Sequence, residues 1–462
     1  MGSKLASFLR ARAWAWRRAG LEITGRIASE VGRDRLPRFQ VHAKDVPHYR
    51  FVDVYRAIER FCQVRGPFAK VNTEHGEDLN SILHGRPPGW VSRRIKRAAN
   101  VVWPTGAGQE VYLPVDGFWL SKDRSSEGFI HLILRVRYDQ FHEKTLLEVA
   151  AEDGALAEAT VAAILEHSIA NSIYRSQVLE LVYESAVKDE YGDVERPDRL
   201  RVLFKRFQPV EDDDIVMDED VRRMLWRNVI DLHTRREVLK AHRVPVRRGV
   251  LLYGPPGTGK TFACRYLCGK LPNTTRIMVT GTALRQVSSI FGLARMLQPS
   301  LLILEDVDLV FASREIAGHG SVLGDLLDQM DGLRPHEDIG FVLTTNSMER
   351  MEAAIRDRPG RISQCIGFGP PGPELRRRYL LHYLRHYAAP RLNVAELVSS
   401  SNGATQAFLK EWVHRSVQIA TERLDAHQTE LELLNEDFRQ AMEEMKRFSE
   451  GATGRIIGFH GG

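Results

Sequence analysis

One stretch near the middle of the 462-residue chain limits the possible folds more than any other. A short apolar run at residues 250–253 leads into a glycine-rich segment, and a helix-like run follows at residues 262–267. The segment has the pattern G-x-x-x-x-G-K-[ST] in the strand-to-helix context in which this pattern binds phosphate. It consists of Gly254, Pro255, Pro256, Gly257, Thr258, Gly259, Lys260 and Thr261. The pattern predicts an α/β fold, with a parallel sheet between helices and a phosphate-binding loop at one edge.

The residue types of this segment suit the chemistry of a nucleotide. Glycine lets backbone N–H groups turn toward phosphate oxygens, because it lacks the Cβ atom that would obstruct them. The N-terminus of the following helix adds partial positive charge. The Lys260 ammonium group can reach the β- and γ-phosphates, and the Thr261 hydroxyl can be a ligand of Mg²⁺. The eight residues are therefore predicted to bind a nucleotide.

Two acidic residues end a second strand-like run. The apolar residues 301–304 are followed directly by Glu305 and Asp306. Carboxylates at the carboxyl edge of a parallel sheet face the phosphate site. Their positions predict that Glu305 holds Mg²⁺ and that Asp306 polarises the attacking water. The order is Glu-Asp, whereas Asp-Glu is the more common order after such a loop. The alternative is therefore a protein that holds a nucleotide without hydrolysing it.

Two more polar residues follow a third strand-like run at residues 339–345. Asn346 ends that run, and its amide could orient the water opposite the acidic pair. Arg361 follows Pro359 and Gly360, a turn from which its side chain could project from the domain surface. Each signal is weak alone, but their order after the phosphate-binding loop is specific.

Taken in this order, the motifs resemble those of an AAA ATPase module over residues 211–449. By this resemblance, residues 254–261 are the Walker A loop and residues 301–306 the Walker B strand, with Asn346 as sensor 1 and Arg361 as an arginine finger. The subgroup that contains the mitochondrial Rieske-protein translocase is the most similar. That subgroup also has the Glu-Asp order, which favours Asp306 as a working base.

The resemblance implies ATP and Mg²⁺ as cofactors and self-association into a ring, usually a hexamer. ATP would lie at the subunit interfaces, where Arg361 would complete the site of a neighbouring subunit. The sequence departs from many members at two points. Gln364 stands where many have a second arginine, and the predicted loop at residues 282–286 lacks the aromatic residue of a pore loop. The second departure puts the threading of an unfolded chain in doubt and is compatible with folded cargo.

A change in sequence character near residue 210 predicts a domain boundary. Before it, residues 50–64 have helical spacing, residues 129–138 read as a strand, and residues 153–186 read as one or two helices. This mixture predicts an α+β domain. We expect an N-terminal α+β domain of unknown role at residues 1–210, a nucleotide-binding α/β subdomain at 211–370, a helical lid at 371–449 and a C-terminal tail at 450–462.

Positive charge is concentrated near the N-terminus. Residues 1–100 contain 20 Lys and Arg against 9 Asp and Glu, in a chain whose net charge is +5. This basic region could bind nucleic acid or another anionic surface, and the alternative is an ordinary solvated face. Residues 1–20 carry five basic residues and no acidic one, so they could form a targeting segment, an interfacial helix or a helix packed on the domain.

The cysteine content and the apolar runs bear on the compartment. Four cysteines are too few for a disulfide framework in a chain of this length, so we expect a reducing compartment, namely the cytoplasm. No apolar run reaches the ~20 residues of a membrane helix, so no transmembrane segment is predicted.

The sequence favours an ATPase that remodels or translocates an unidentified protein substrate in an oligomeric ring. An ATPase that acts on nucleic acid or a nucleoprotein complex through the basic region is the alternative. Peripheral membrane attachment through residues 1–20 and a non-catalytic scaffold are also compatible with the sequence. A zinc protease is disfavoured, because the His-Glu pairs at residues 142–143 and 336–337 both fail the H-E-x-x-H pattern.

Overall fold

The structure is a computed structural model and describes residues 22–31, 34–66, 68–72, 77–85, 95, 100–122, 130–139, 142–188, 194–196, 198–206, 208, 210–244, 249–312, 322–334, 336–349, 362–424 and 431–453. The chain divides into two compact units. The first comprises Met1–Arg175 and Tyr183–Phe204, and the second comprises Ser176–Val182 and Lys205–Gly462. The main boundary thus lies a few residues before the expected position near residue 210, and a short upstream segment joins the second unit.

The first unit is built on an antiparallel sheet. Its first four helices are α1 (Ile23–Val31), α2 (Phe51–Arg65), α3 (Leu79–His84) and α4 (Gly154–Ala170). Its first seven strands are β1 (Gln40–Pro47), β2 (Phe68–Asn72), β3 (Asn100–Gly106), β4 (Gln109–Pro114), β5 (Asp116–Lys122), β6 (Ile130–Asp139) and β7 (Lys144–Ala151). Five of them form the sheet in the order β1–β7–β6–β5–β2, while β3 and β4 form a separate two-stranded ribbon.

Alternating side chains explain why helices cover both faces of this sheet. Successive residues of a strand point to opposite faces. In β6, Leu132 and Leu134 share a buried cluster with Phe51 of α2, whereas Ile133 belongs to a second cluster that contains Ile23 of α1. Because β6 is apolar at consecutive positions, both of its faces need a cover, which α2 and α4 supply on one side and α1 and α3 on the other.

A buried ion cluster holds the centre of the same sheet. The Arg135 side chain is fully buried, and its Nε and Nη2 atoms donate to the two Asp116 carboxylate oxygens at 2.8 Å each. Its Nη1 atom donates to Glu148 Oε2 at 3.0 Å and to the Glu77 carbonyl at 2.6 Å. The other Glu148 oxygen accepts the Leu79 N–H at the start of α3 at 2.7 Å. The ion cluster therefore links the strands β5, β6 and β7 to α3, the helix that covers them.

The segment after α4 differs from the expectation of one or two helices over residues 153–186. The helix ends at Ala170, and β8 (Val178–Glu184) follows. The residues of β8 alternate between apolar and polar from Leu179 to Leu181, which suits a strand better than a helix. Further strands are β9 (Val187–Lys188), β10 (Val194–Arg196) and β11 (Arg199–Phe204), of which β9 and β10 pair antiparallel. The α+β character of the N-terminal region is confirmed, but its last helix is shorter than predicted.

The second unit is the α/β part of the chain. Its strands are β12 (Gly249–Tyr253), β13 (Thr275–Val279), β14 (Ser300–Leu304), β15 (Ile339–Thr345) and β16 (Ile362–Gly367). Together with β8 they lie side by side in the order β8–β13–β14–β15–β12–β16, and each of these pairings is parallel. The predicted parallel sheet is thus confirmed. Because β15 lies between β12 and β14, the loops that follow these three strands meet at one edge.

Helices pack on this sheet, and in the described part of the chain four further helices follow it over the residues of the predicted lid. Those of the α/β part are α5 (Glu219–Leu225), α6 (Asp231–Thr234), α7 (Arg236–Ala241), α8 (Lys260–Lys270), α9 (Val287–Met296), α10 (Val307–Ala312) and α11 (Val322–Asp331). Those of the lid are α12 (Pro373–Leu384), α13 (Val394–Ser400), α14 (Gln406–Thr421) and α15 (Asn435–Thr453). The lid has its own buried cluster, in which the Trp412 indole N–H donates to the Phe438 carbonyl at 2.8 Å.

Part of the basic region serves the structure of its own unit. Arg35 forms an ion pair with Glu152, Lys70 one with Glu59, and the Arg50 side chain donates to the Ser168 hydroxyl. Residues 1–20 lie outside the described part of the chain. Among the residues that the structure describes, no helix is both long enough and apolar enough to cross a membrane.

Candidate functional site

The predicted phosphate-binding loop joins β12 to α8 at the carboxyl edge of the parallel sheet. All three of its glycines occupy conformations that other residues rarely adopt, with φ of 144° at Gly254, 77° at Gly257 and 102° at Gly259. A Cβ atom at Gly254 would collide with the Phe368 carbonyl. The Thr258 hydroxyl donates to the Pro255 carbonyl at 2.8 Å, which closes the loop. The glycines are therefore required by the backbone as well as by the phosphate chemistry.

The Lys260 side chain lies at the centre of the site. It is 5% exposed, and its ammonium group donates to the Gly254 carbonyl at 2.7 Å, the Pro255 carbonyl at 2.9 Å and Asn346 Oδ1 at 2.8 Å. Burial lowers the pKa of Lys260, and the carboxylates of Asp306 and Asp308 oppose that shift. The positive charge of Lys260 is thus held at the edge of the sheet, where it can attract a phosphate.

Glu305 and Asp306 follow β14, as predicted, but their surroundings differ. Glu305 is 7% exposed, and within the described part of the chain its Oε1 atom has no hydrogen-bond partner. Burial raises the pKa of Glu305, the charge of Asp306 raises it further, and the Thr261 hydroxyl opposes the shift. Asp306 is half-buried and adopts a φ of 49°, in the left-handed region that is unusual for a residue with a side chain.

Asn346 follows β15 and connects the lysine with the acidic loop. Its Oδ1 atom accepts from Lys260, and its Nδ2 atom donates to Asp306 Oδ1 at 3.2 Å. The two contacts are consistent with each other, since an ammonium group only donates and a carboxylate only accepts. The structure therefore brings Lys260, Asp306 and Asn346 together in one hydrogen-bonded group.

A cavity of about 610 Å³ opens in front of this group. Its wall includes Lys260, Thr261, Asp306 and Asn346, and Tyr379 from the lid. A neighbouring cavity of about 330 Å³ is lined by the linker residues 215–218 and by Phe262 and Tyr379. Both walls include Gly259, Phe262 and Tyr379, so the two cavities together offer room for a ligand larger than a phosphate group.

The lid touches the phosphate-binding loop directly. The Ala407 N–H at the start of α14 donates to the Gly257 carbonyl at 3.0 Å. Thr405 caps α14 by accepting the Phe408 N–H. A Cβ atom at Gly259 would collide with the Gln406 side chain. The start of α14 therefore contacts the loop through both a backbone hydrogen bond and the Gln406 side chain.

The remaining predicted features are Arg361, Gln364 and the loop at residues 282–286. Arg361 lies outside the described residues, so its placement stays a prediction. Gln364 is on β16, where its amide lies 3.8 Å from the Met224 sulfur. The predicted loop at residues 282–286 is largely a 3₁₀ turn, Gly281–Arg285, which leads into α9.

Two residues of the site were not singled out from the sequence. Asp308 accepts the Asn346 backbone N–H at 3.1 Å, and the Thr344 hydroxyl accepts the Asp306 backbone N–H at 2.9 Å. Asp308 is the first acid after the Glu-Asp pair, and Thr344 is the penultimate residue of β15. In the sequence, only their positions beside Asp306 and Asn346 indicate a role at the site. Their hydrogen bonds join residues of two neighbouring strands, β14 and β15, and so depend on the fold.

Comparison with known proteins agrees with this geometry. Residues 250–370 match the family described as "ATPase family associated with various cellular activities (AAA)", so this part of the chain is an AAA domain. The chain is similar to "26S proteasome regulatory subunit 8 homolog" of Schizosaccharomyces pombe, with 29% identity over 248 residues, 50% of this chain and 59% of that protein. It is also similar to "26S proteasome regulatory subunit 8" of Dictyostelium discoideum, with 30% identity over 253 residues, 51% of this chain and 60% of that protein.

The similarity has a limited extent. The chain spans about three fifths of the length of these curated relatives, and the matching part is about half of this chain. It therefore supports homology of the ATPase region.

Proposed function

We propose that the chain binds and hydrolyses ATP with Mg²⁺, in a ring of identical subunits that remodels or translocates a protein substrate. The observation that carries the proposal is the hydrogen-bonded group of Lys260, Asn346 and Asp306, which lines the cavity beside the phosphate-binding loop. A phosphate-binding cation, a polar amide and a carboxylate are the parts that phosphoryl transfer to water requires.

Nucleotide binding rests on the loop and on Lys260. The backbone N–H groups of residues 257–260 precede or begin α8, where the helix N-terminus favours negative charge. Lys260 now donates to carbonyls of its own loop and to Asn346, and a triphosphate would offer stronger, charged acceptors. Adenine would occupy the neighbouring cavity, whose wall includes Ile215, Val216 and Met217.

The residues fit a magnesium ion. Thr261 lines the cavity, and the buried Glu305 carboxylate has an oxygen without a partner in the described part of the chain. Oxygen atoms of this kind are the ligands that Mg²⁺ prefers. Thr261 and Glu305 would hold the ion, which would neutralise charge that develops on the phosphates.

The proposed roles of the chain's own side chains follow from their contacts. Asp306 accepts the proton of the attacking water, and its half-buried carboxylate lines the cavity from which that water would come. Asn346 orients the Asp306 carboxylate through Nδ2 and holds Lys260 through Oδ1. Walker B residues in the order Glu-Asp therefore work with the shorter acid as the base, which supports the finer resemblance to the Rieske-protein translocase subgroup.

Assembly and substrate belong to the same proposal. Arg361 would act on the nucleotide of a neighbouring subunit in a ring, most simply a hexamer. Relatives named as regulatory subunits of a proteasome support a protein substrate over nucleic acid. The N-terminal unit, residues 1–210 in the sequence prediction, would select that substrate. All four cysteines are free thiols, which supports the cytoplasm as the compartment.

The test of nucleotide binding is the Lys260→Ala variant. Loss of a charged hydrogen bond costs roughly 1.5–3 kcal/mol, so its affinity for a fluorescent ATP analogue should fall by roughly 10- to 100-fold or more. Lys446→Ala, which removes an exposed lysine from α15, is the matched control and should bind like the wild type. Equal affinity of Lys260→Ala and the wild type would refute binding at this loop.

A further inference from the structure

Crossed hydrogen bonds join the two loops that carry the proposed base and its amide partner. The backbone N–H of Asp306, which follows β14, donates to the hydroxyl of Thr344, near the end of β15, at 2.9 Å. In the reverse direction, the Asn346 backbone N–H donates to the Asp308 carboxylate at 3.1 Å. Between these two bonds, the Asn346 side chain donates to Asp306 Oδ1 at 3.2 Å. Each of the two segments, residues 306–308 after β14 and residues 344–346 at the end of β15, therefore fixes the backbone of the functional residue on the other.

The two outer residues are buried and lie apart from the nucleotide cavity. Thr344 is 1% exposed and Asp308 is 9% exposed. Asp306 and Asn346 line the cavity, whereas the described part of its wall includes neither Thr344 nor Asp308. Asp308 lies in the first turn of α10, but its carboxylate accepts from the backbone of Asn346, which is 38 positions away and directly follows β15. Their hydrogen bonds act on the nucleotide site through Asp306 and Asn346, whereas the charge of Asp308 also opposes the lowering of the Lys260 pKa by burial.

The backbone at these points needs such support. Asp306 has a φ of 49°, and a residue with a Cβ atom in this region costs on the order of 1–3 kcal/mol unless its surroundings hold it there. The Thr344 hydroxyl holds the N–H of that same residue. A change of this backbone would move the carboxylate away from the Asn346 amide, and misplacement by about 1 Å can lower a rate ~10²-fold.

We infer that Asp308 and Thr344 are positioning residues of the proposed hydrolysis. Asp308 fixes the backbone of Asn346, so that its amide spans Lys260 and Asp306. Thr344 fixes the backbone of Asp306 in its left-handed conformation. The inference rests on the proposed ATPase function, and it requires Asp308 to act as a hydrogen-bond acceptor and not through its charge.

Conservative variants separate this role from others. Asp308→Ala removes the acceptor and should lower kcat for ATP by about 10²-fold, with KM nearly unchanged. Asp308→Asn keeps an acceptor oxygen in the same place and should retain most of the wild-type kcat. Asp325→Ala, which removes an exposed acid from the first turn of α11, is the control and should match the wild type. Equal losses in Asp308→Ala and Asp308→Asn would overturn the inference, because charge would then be the property that matters.

A double mutant tests whether Asp308 acts through Asn346. In an Asn346→Ala background the amide is gone, so Asp308→Ala should cause no further loss of kcat. Two losses that multiply would contradict action through Asn346. If Asp308→Ala does not fold, Thr344→Val and Thr344→Ser decide the case, since serine keeps the hydroxyl and valine does not. Similar kcat values for the serine and valine variants would then overturn the inference.

The outcomes distinguish this inference from the function on which it rests. A wild type that binds no ATP or does not hydrolyse it refutes the proposed function. A wild type that hydrolyses ATP while Asp308→Ala retains the full rate refutes the positioning role alone.

Discussion

The Glu305 carboxylate should destabilise the nucleotide-free protein, and Glu305→Gln measures by how much. Its side chain is 7% exposed, and its Oε1 atom has no partner in the described part of the chain. Burial and the neighbouring Asp306 both raise the pKa of Glu305. A buried polar atom without a partner costs roughly 1–3 kcal/mol. Glutamine avoids part of this cost because it is uncharged, but it is also polar. We therefore expect the substitution to raise the free energy of unfolding by about 1 kcal/mol.

The sign of the pH dependence follows from the direction of the shift. A carboxyl group with a raised pKa in the folded protein contributes most to stability below its unfolded pKa of about 4.3. That contribution is lost as the pH rises through the folded pKa. Glu305→Gln should therefore be about as stable as the wild type below a pH of about 4.3 and more stable than the wild type at pH 8. A gain of 1 kcal/mol corresponds to a rise in Tm of about 2–4 °C for a unit of this size.

The assay is thermal unfolding with a chelator and without nucleotide, repeated with saturating Mg²⁺ and ATP. The ligands should reverse the order, because they stabilise the wild type by about 2.7 kcal/mol at a hundredfold excess over Kd and the variant by less. Glu158→Gln, an exposed change on α4, should behave like the wild type in both conditions. A Glu305→Gln variant that is equally stable or less stable at pH 8 without ligands would refute the reasoning.

Three further predictions concern other parts of the chain. Arg361→Ala should keep its ATP affinity and have a lower kcat. Mixing it with Asp306→Asn subunits should restore activity at interfaces that pair an intact arginine finger with an intact base. Mixed rings without any gain in activity would contradict action between subunits. Deletion of residues 1–20 should weaken binding to anionic lipid vesicles at low salt and spare basal ATPase activity, whereas unchanged binding would mark the segment as structural. Arg135→Met should lower the stability of the first unit by about 3–5 kcal/mol in thermal unfolding, because it removes the buried cation that balances the charges of two buried carboxylates, and a change below about 1 kcal/mol would show that the cluster is not stabilising.

The α/β part could be predicted because its signals are local in sequence. A strand, a glycine-rich turn and a helix follow one another between Gly249 and Lys270, and the apolar runs before Glu305 and Asn346 end at the same sheet edge. The parallel arrangement then brings Lys260, Asp306 and Asn346 together without further information.

The parts that could not be predicted depend on contacts between distant residues. β8 was expected to be helical, because the alanine-rich pattern of α4 continues toward it, whereas its parallel pairing with the distant β13 stabilises it as a strand. The roles of Asp308 and Thr344 depend on the register of β14 against β15, which places one loop across the other. The buried cluster around Arg135 combines residues that are 58 positions apart, and its sequence offered no periodic signal.

The central claim is that one site both binds ATP and hydrolyses it with Asp306 as the base. The most direct measurement is ATP affinity and phosphate release on the same preparation of Asp306→Asn, beside the wild type and the exposed control Asp325→Asn. The account predicts an affinity close to that of the wild type and a kcat lower by about 10²- to 10⁴-fold, the range that a general base contributes. Phosphate release by Asp306→Asn at the wild-type rate would contradict the account.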